Sequence, residues 1–248
     1  MSETRRILYA NQRVRPRVPI ALVKKFNLPV EIIDPEDKEF NDGGIYAKFF
    51  PLKKVPSYIE LDKNTNEPIF ILTEVIAVIF YLLETFIDEN SSSPELLAFA
   101  KSLIEPDSTT TLNKIQYKSS ILKWLSLTNS DFLITLVGVF NPLRGVVPYN
   151  KESVDSNAVK VDKIVSEIFV PALSSNKYLL GKKITIADFF AVACFTRGFD
   201  YVFGREWMAK YPVIVNWFND VRKQDGFLVD FYKDFEFIEK PLEPPVKN

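Results

Sequence analysis

Histidine is absent from this 248-residue sequence, and cysteine occurs once, at Cys194. Without histidine there is no Ser-His-Asp or Cys-His catalytic constellation and no His-ligated zinc or haem. One cysteine cannot build a thiolate zinc site or an intrachain disulfide, which fits a reducing compartment. Glycine is scarce, 8 residues against 16 prolines, and none precedes Gly43. The first strand-to-helix turn therefore has no phosphate-cradling loop of the dinucleotide or Walker type. Charge of one sign is also lacking: 31 Lys+Arg face 32 Asp+Glu. A net charge of -1 argues against a protein that coats nucleic acid directly. The longest apolar run, Val75 to Leu83, is far short of a membrane span. The first six residues have no signal-peptide core. The Arg-rich start up to Arg17 raises a mitochondrial presequence, but Arg6–Ala10 reads as a strand, so the cytoplasm is expected.

What is present is ordinary globular composition, 47% hydrophobic and 25% charged. Arg6–Ala10 and Val30–Ile33 read as short strands. Between them, Val18, Ala21, Leu22, Val23 and Phe26 lie at helical spacing, with Pro16 and Pro19 at the start and Pro29 at the end. A β-α-β opening of this length makes the strands parallel. Asp34–Lys54 reads as a loop. Ser57–Leu61 and Ile69–Leu72 form a hairpin around Lys63–Asn66. Thr73 is expected to cap a helix over Glu74–Phe86, with Glu74 in its first turn. The serine-rich break at Ile87–Ser93 reads as a linker closed by Pro94. Helices are then expected over Leu112–Ser130, Asp131–Phe140, Ser153–Leu173, Thr185–Phe203 and Pro212–Arg222. In the third of these, Val154, Ala158, Val161, Ile164, Val165, Ile168 and Leu173 form an apolar stripe. From Lys240 the tail is Pro/Lys-rich and reads as extended.

Four motifs stand out. Val55-Pro56 precedes the third strand; a cis bond would turn the Val55 main chain towards a ligand, and a trans loop junction is the simpler local reading. Leu72-Thr73-Glu74-Val75 lies at a helix N-terminus, which can hold a carboxylate but is first a plain cap. Thr185-Ile186-Ala187-Asp188 has capping-box spacing with Asp in place of Glu. Arg13, Arg15 and Arg17 could bind an anion or activate a thiol, and read more simply as a solvated basic face.

Their order along the chain resembles the glutathione transferase fold, over about Arg6 to Phe235. Within that superfamily the sequence is similar to the N-terminal domain of the gamma subunit of fungal translation elongation factor 1. The stretches that carry this likeness are Leu8–Asn11, Phe50–Pro56, Asn129–Asp131, Pro148–Lys151, Ser153–Ser156, Val161–Val165 and Tyr232–Phe235. The resemblance implies a thioredoxin-like domain over residues 1–87 with Pro56 cis. An all-helical transferase domain follows over 94–238. Residues 239–248 would begin a Lys/Pro-rich linker to a further domain.

The resemblance also implies a glutathione site on Lys54, Val55, Pro56, Glu74 and Val75, with no metal. Active relatives carry a serine after the glutamate. Val75 has no hydroxyl, and losing a contact to a charged group costs about 1.5–3 kcal/mol. Active relatives also place a Tyr, Ser or Cys near the end of the first strand. Ala10–Pro16 holds no hydroxyl or thiol, which leaves Tyr9, Asn11 and Arg15, besides Arg13, as the available donors. The implied function is a non-catalytic scaffold of the elongation factor 1 complex that binds the nucleotide-exchange subunit and forms a homodimer. The alternative is a glutathione-dependent transferase acting on electrophiles.

Overall fold

The computed structural model describes residues 4–89, 93–106 and 110–245. The chain divides into two compact units, Met1–Lys101 and Ser102–Asn248.

The first unit holds a four-stranded sheet in the order β2-β1-β3-β4. Strand β1 (Thr4–Tyr9) pairs in parallel with β2 (Glu31–Ile33) and antiparallel with β3 (Ser57–Asp62). Strand β4 (Pro68–Leu72) pairs antiparallel with β3, as expected of the hairpin. Helix α1 (Arg17–Lys25) joins β1 to β2 and stops earlier than the apolar spacing predicts, because Asn27 has left-handed backbone (φ +47°). Helix α3 (Val75–Glu89) follows β4 and packs beside α1, where Phe26 and Phe86 stack at 4.4 Å. Asn90–Ser92 of the expected linker lie outside the described residues, and Ile87–Glu89 are the last turn of α3.

Alternation along β1 and β3 sorts side chains to two faces. Tyr58 meets Tyr81 of α3 on one face. Ile7, Tyr9, Ile59 and Leu61 pack with Tyr46 and Phe50 in a cluster on the other. Tyr46 belongs to α2 (Ile45–Phe49), a helix inside what reads from sequence as a loop. Five residues are too few to show a helical period. The helix is built instead by Asp42, whose carboxylate accepts from the Gly44 and Tyr46 amides at 2.9 and 2.6 Å, while Gly43 and Gly44 take left-handed backbone.

The second unit is all helical. Helix α4 (Pro94–Ile104) crosses the division between the units and has no counterpart in the sequence reading. Then come α5 (Thr111–Ser126), α6 (Leu133–Leu143), α7 (Lys151–Ile164), α8 (Val170–Ser175), α9 (Ile186–Tyr201), α10 (Arg205–Lys210) and α11 (Pro212–Val221). No break separates the two helices expected to meet at Ser130 and Asp131. A π-helical stretch, Leu127–Phe132, carries α5 into α6, and Val165–Phe169 does the same between α7 and α8. Each stretch turns an aromatic ring inward: Phe132 and Phe169 lie 4.2 and 5.0 Å from Phe195 of α9. Ile168, expected on the buried stripe, is at the surface, because the wider π turn rotates it off that face. Helix α9 is the core element, buried from Ile186 to Thr196.

The capping box forms at the start of α9, and the structure enlarges it. Asp188 is wholly buried. Its Oδ2 accepts from the Thr185 amide and hydroxyl, both at 2.9 Å. Its Oδ1 accepts from the Leu179 amide at 2.9 Å and the Trp217 indole N–H at 3.0 Å. One carboxylate thus ties the loop before α9 to α11. Burial pushes this carboxyl up, against the pull of its four donors.

Candidate functional site

The candidate ligand site in the first unit is assembled from the end of β1, the turn before β3 and the start of α3. Val55-Pro56 is cis, as the resemblance implies and against the simpler local reading of a trans junction. Pro56 is buried and Val55 half-buried against the Tyr9 cluster. Lys54 is exposed, and its carbonyl accepts from the Ser57 hydroxyl at 2.6 Å and the Tyr46 hydroxyl at 3.3 Å. Lys53 before it is left-handed (φ +48°), an uncommon state for a non-glycine residue.

Glu74 departs from the sequence reading. It stands before α3 rather than in its first turn, with left-handed backbone (φ +69°) and an exposed side chain. Its carbonyl accepts from the Val78 amide at 3.0 Å. Strain of about 1–3 kcal/mol at a non-glycine position is characteristic of ligand clamps. Val75 opens the helix with its side chain buried in the core. The first amides of α3 therefore carry the anion-binding capacity of this terminus.

Of the donors named at the end of β1, Tyr9 and Asn11 are buried and Arg13 is ion-paired. Tyr9 is wholly buried among Phe40, Tyr46 and Phe50, and its hydroxyl donates to Asp42 Oδ2 at 2.8 Å. Burial and that carboxylate push the Tyr9 phenol well above its usual range, so it stays neutral. Asn11 is buried, and its Oδ1 accepts from the Arg13 amide at 3.1 Å in an Asx turn. Arg15 is half-buried. The arginines do not form the expected solvated basic face. Arg13 pairs with Glu36 at 2.6 Å, and Arg17 is buried at the start of α1.

Sequence reasoning missed Asp42, although Asn41-Asp42-Gly43-Gly44 is a turn signal. It also missed a polar network beneath α3. Glu60, a buried carboxylate on β3, accepts from the Tyr58 and Tyr81 hydroxyls at 2.7 and 2.8 Å and lies 3.3 Å from Arg6 Nε. Arg6 also holds Glu89, at 2.8 and 2.5 Å, at the C-terminal end of α3. Burial and Glu60 push the Tyr81 phenol up to about 12. The hydrogen bonds from Arg6 hold the Glu89 carboxyl below its usual range. The signal was a glutamate in the middle of an otherwise apolar strand. Among the described residues no cluster of His, Cys, Asp and Glu could hold a metal ion, and no helix is long and apolar enough to cross a membrane.

Residues 118–225 match the family model for the glutathione S-transferase C-terminal domain. The crystal structure of the GST-like domain of elongation factor 1-gamma from Saccharomyces cerevisiae superposes with a TM-score of 0.78, at 39% identity, covering 99% of this chain and all of that one. These matches and the β-α-β-α-β-β-α plus helical architecture define a protein of the glutathione S-transferase fold. In sequence the chain is 40% identical to Elongation factor 1-gamma 1 of S. cerevisiae over 96% of its own length and 51% of the relative's. It is 32% identical to a putative elongation factor 1 gamma homolog of the same yeast over 93% of itself and 92% of that protein. The chain belongs to the elongation factor 1-gamma family and corresponds to the glutathione S-transferase-like domain. It spans about half the length of Elongation factor 1-gamma 1.

Proposed function

We propose that this protein is the glutathione transferase-like scaffold of a translation elongation factor 1 complex. It binds the nucleotide-exchange subunit in the cytoplasm and supports delivery of aminoacyl-tRNA. The observation that carries this reading is likeness to elongation factor 1-gamma along nearly the whole chain, in both units. The site chemistry points the same way. The Tyr9 phenol is neutral and spent on Asp42, and no hydroxyl or thiol lies between Ala10 and Pro16. A pull-down with the purified exchange subunit tests the reading. A complex that survives at micromolar concentration is expected; its absence overturns the proposal. In the same reading the chain pairs with a second copy as a twofold dimer, and sedimentation at the monomer mass would refute that pairing.

The cis Val55-Pro56 bond and the left-handed Glu74 favour a second reading, glutathione binding with weak transferase activity. Lys54, Val55 and the start of α3 at Glu74 and Val75 would hold the tripeptide, whose own thiol is the nucleophile. The Val75 side chain is buried and offers no hydroxyl, so the fit is to main-chain amides. Asn11, Arg13 and Arg15 are the remaining donors for a thiolate. Calorimetric titration with glutathione and a halonitrobenzene conjugation assay separate the readings. Turnover that is lost in Glu74→Ala would establish the enzyme.

A further inference from the structure

The residues after α11 do not simply leave the helical unit. Phe237 packs on Phe199 of α9 and Phe218 of α11, at 5.0 and 5.8 Å between ring centres. Phe235 meets Phe218 and Phe237, and the Arg222 guanidinium lies over both tail rings at 5.3 and 5.9 Å. Beyond these rings the main chain is stitched to the α9–α10 corner. Ile238 donates to the Phe199 carbonyl at 3.4 Å, and Leu242 to the Tyr201 carbonyl at 2.9 Å. The Arg205 amide donates to the Glu239 carbonyl at 2.9 Å, and the Arg205 and Glu239 side chains pair at 3.0 Å. The expected extended start of a linker is thus docked as far as Leu242.

Gly204 makes this docking possible. A Cβ there would come within 2.8 Å of the Glu239 carbonyl oxygen, 2.9 Å of Pro241 Cδ and 3.0 Å of Lys240 Cα. Two of these neighbours are main chain and the third is a closed ring, so none can swing aside. The backbone of Gly204 itself is extended (φ −73°, ψ −174°), which any residue adopts. What the position requires is the missing side chain, as a notch for the tail.

The docking is shallow compared with the core beneath it. Phe235, Phe237 and Ile238 are half-buried, and every residue from Glu239 to Pro245 is exposed. The Arg205–Glu239 pair is about three-quarters exposed and adds little holding energy. Phe199, Phe203 and Phe218 underneath are buried almost completely. Segments with few buried contacts and exposed main-chain bonds open on their own, below the cost of global unfolding.

We propose that Phe235–Leu242 is a detachable strap, seated in the Gly204 notch, that closes an aromatic groove between α9 and α11 and opens without unfolding the helices under it. The occupant of the groove is the chain's own tail, whose Phe-x-Phe-Ile order matches the two rings and the first main-chain bond. The strap holds the exit of the chain at the α9–α10 corner while closed and uncovers Phe199 and Phe218 when open.

Amide hydrogen exchange on the full chain tests this. The Ile238 and Leu242 amides should exchange at least roughly tenfold slower than in a free peptide of residues 235–245, yet faster than Phe195 in α9. Gly204→Ala should bring both close to the free-peptide rate and leave Phe195 unchanged. Leu242→Pro removes one donor at an exposed position and serves where Gly204→Ala fails to fold. It should speed cleavage after Glu239 by a Glu-specific protease about fivefold. A wild-type Leu242 amide at the free-peptide rate would overturn the docking. Loosening of Phe195 together with the strap in Leu242→Pro would overturn its independence.

Discussion

Replacing Asp188 by Asn changes one atom type at the tightest polar junction of the helical unit. The carboxylate accepts four hydrogen bonds, two on each oxygen, and is wholly buried. Asparagine keeps one acceptor oxygen. Whichever way its amide turns, the NH2 group faces a pair of donors. Facing Leu179 and Trp217, it leaves an amide N–H and an indole N–H without an acceptor. Facing Thr185, it orphans the amide there, while the hydroxyl can rotate. The second orientation is cheaper and still leaves one buried donor unpaired, besides two lost bonds to a charge. An orphaned buried donor costs about 1–3 kcal/mol, and a net bond to a charged group about 1.5–3 kcal/mol. Because the hydroxyl adapts, we expect Asp188→Asn to destabilise by about 2–4 kcal/mol. That is a large share of the roughly 5–15 kcal/mol typical of a folded domain. At about 2–4 °C per kcal/mol, Tm should fall by roughly 5–15 °C. Guanidinium unfolding followed by tryptophan fluorescence is the assay, since Trp124, Trp207 and Trp217 all lie in the second unit. The midpoint should drop with the slope unchanged. Trp217→Phe in the same background should cost less than it does alone, because the pair is coupled. A change below about 0.5 kcal/mol for Asp188→Asn, the range of ordinary surface substitutions, would refute the reasoning.

Gly198→Ala should destabilise by about 1–3 kcal/mol through overpacking. The added Cβ would lie 2.0 Å from the Phe203 ring, which is itself stacked on Trp207 at 3.8 Å; an altered Trp207 emission before unfolding is the check. Tyr9→Phe should leave any glutathione heat or turnover unchanged and lower stability by about 0.5–1.5 kcal/mol, since the hydroxyl serves Asp42; loss of turnover with intact stability would contradict this. Glu89 gives a pH signature. Its folded pKa is lowered, so its pair with Arg6 contributes fully above the unfolded value of about 4.3 and is lost as pH falls through the folded value. The stability gap between wild type and Glu89→Gln should be at most about 1 kcal/mol at pH 7, because half of Glu89 is solvated, and should begin to shrink once pH falls below the unfolded value. A gap that widens in acid would reverse the assignment.

Local signals read correctly where local physics decides. The parallel β1–β2 pairing followed from a short crossover, the β3–β4 hairpin from its turn, and the α9 start from Thr185 and Asp188. The start of α7, expected at Ser153 from the apolar stripe, lies at Lys151, two residues earlier, where Asn150 caps it. Helix α2 was not legible, because its cause is one carboxylate reaching main-chain amides and a tyrosine 33 residues away. Nor was the continuous run from α5 to α6, whose π turn is dictated by Phe132 seeking Phe195.

The sequence by itself determined the class of chemistry that is missing, the order of the four strands, and the absence of a hydroxyl at Val75 and from Ala10 to Pro16. Those are matters of composition and neighbouring residues. Only the tertiary structure decided that Glu74 stands strained outside its helix and that Tyr9 is spent on Asp42. It also decided that the tail lies in the notch at Gly204. Each depends on partners distant along the chain, whose burial and hydrogen bonds outweigh local preference.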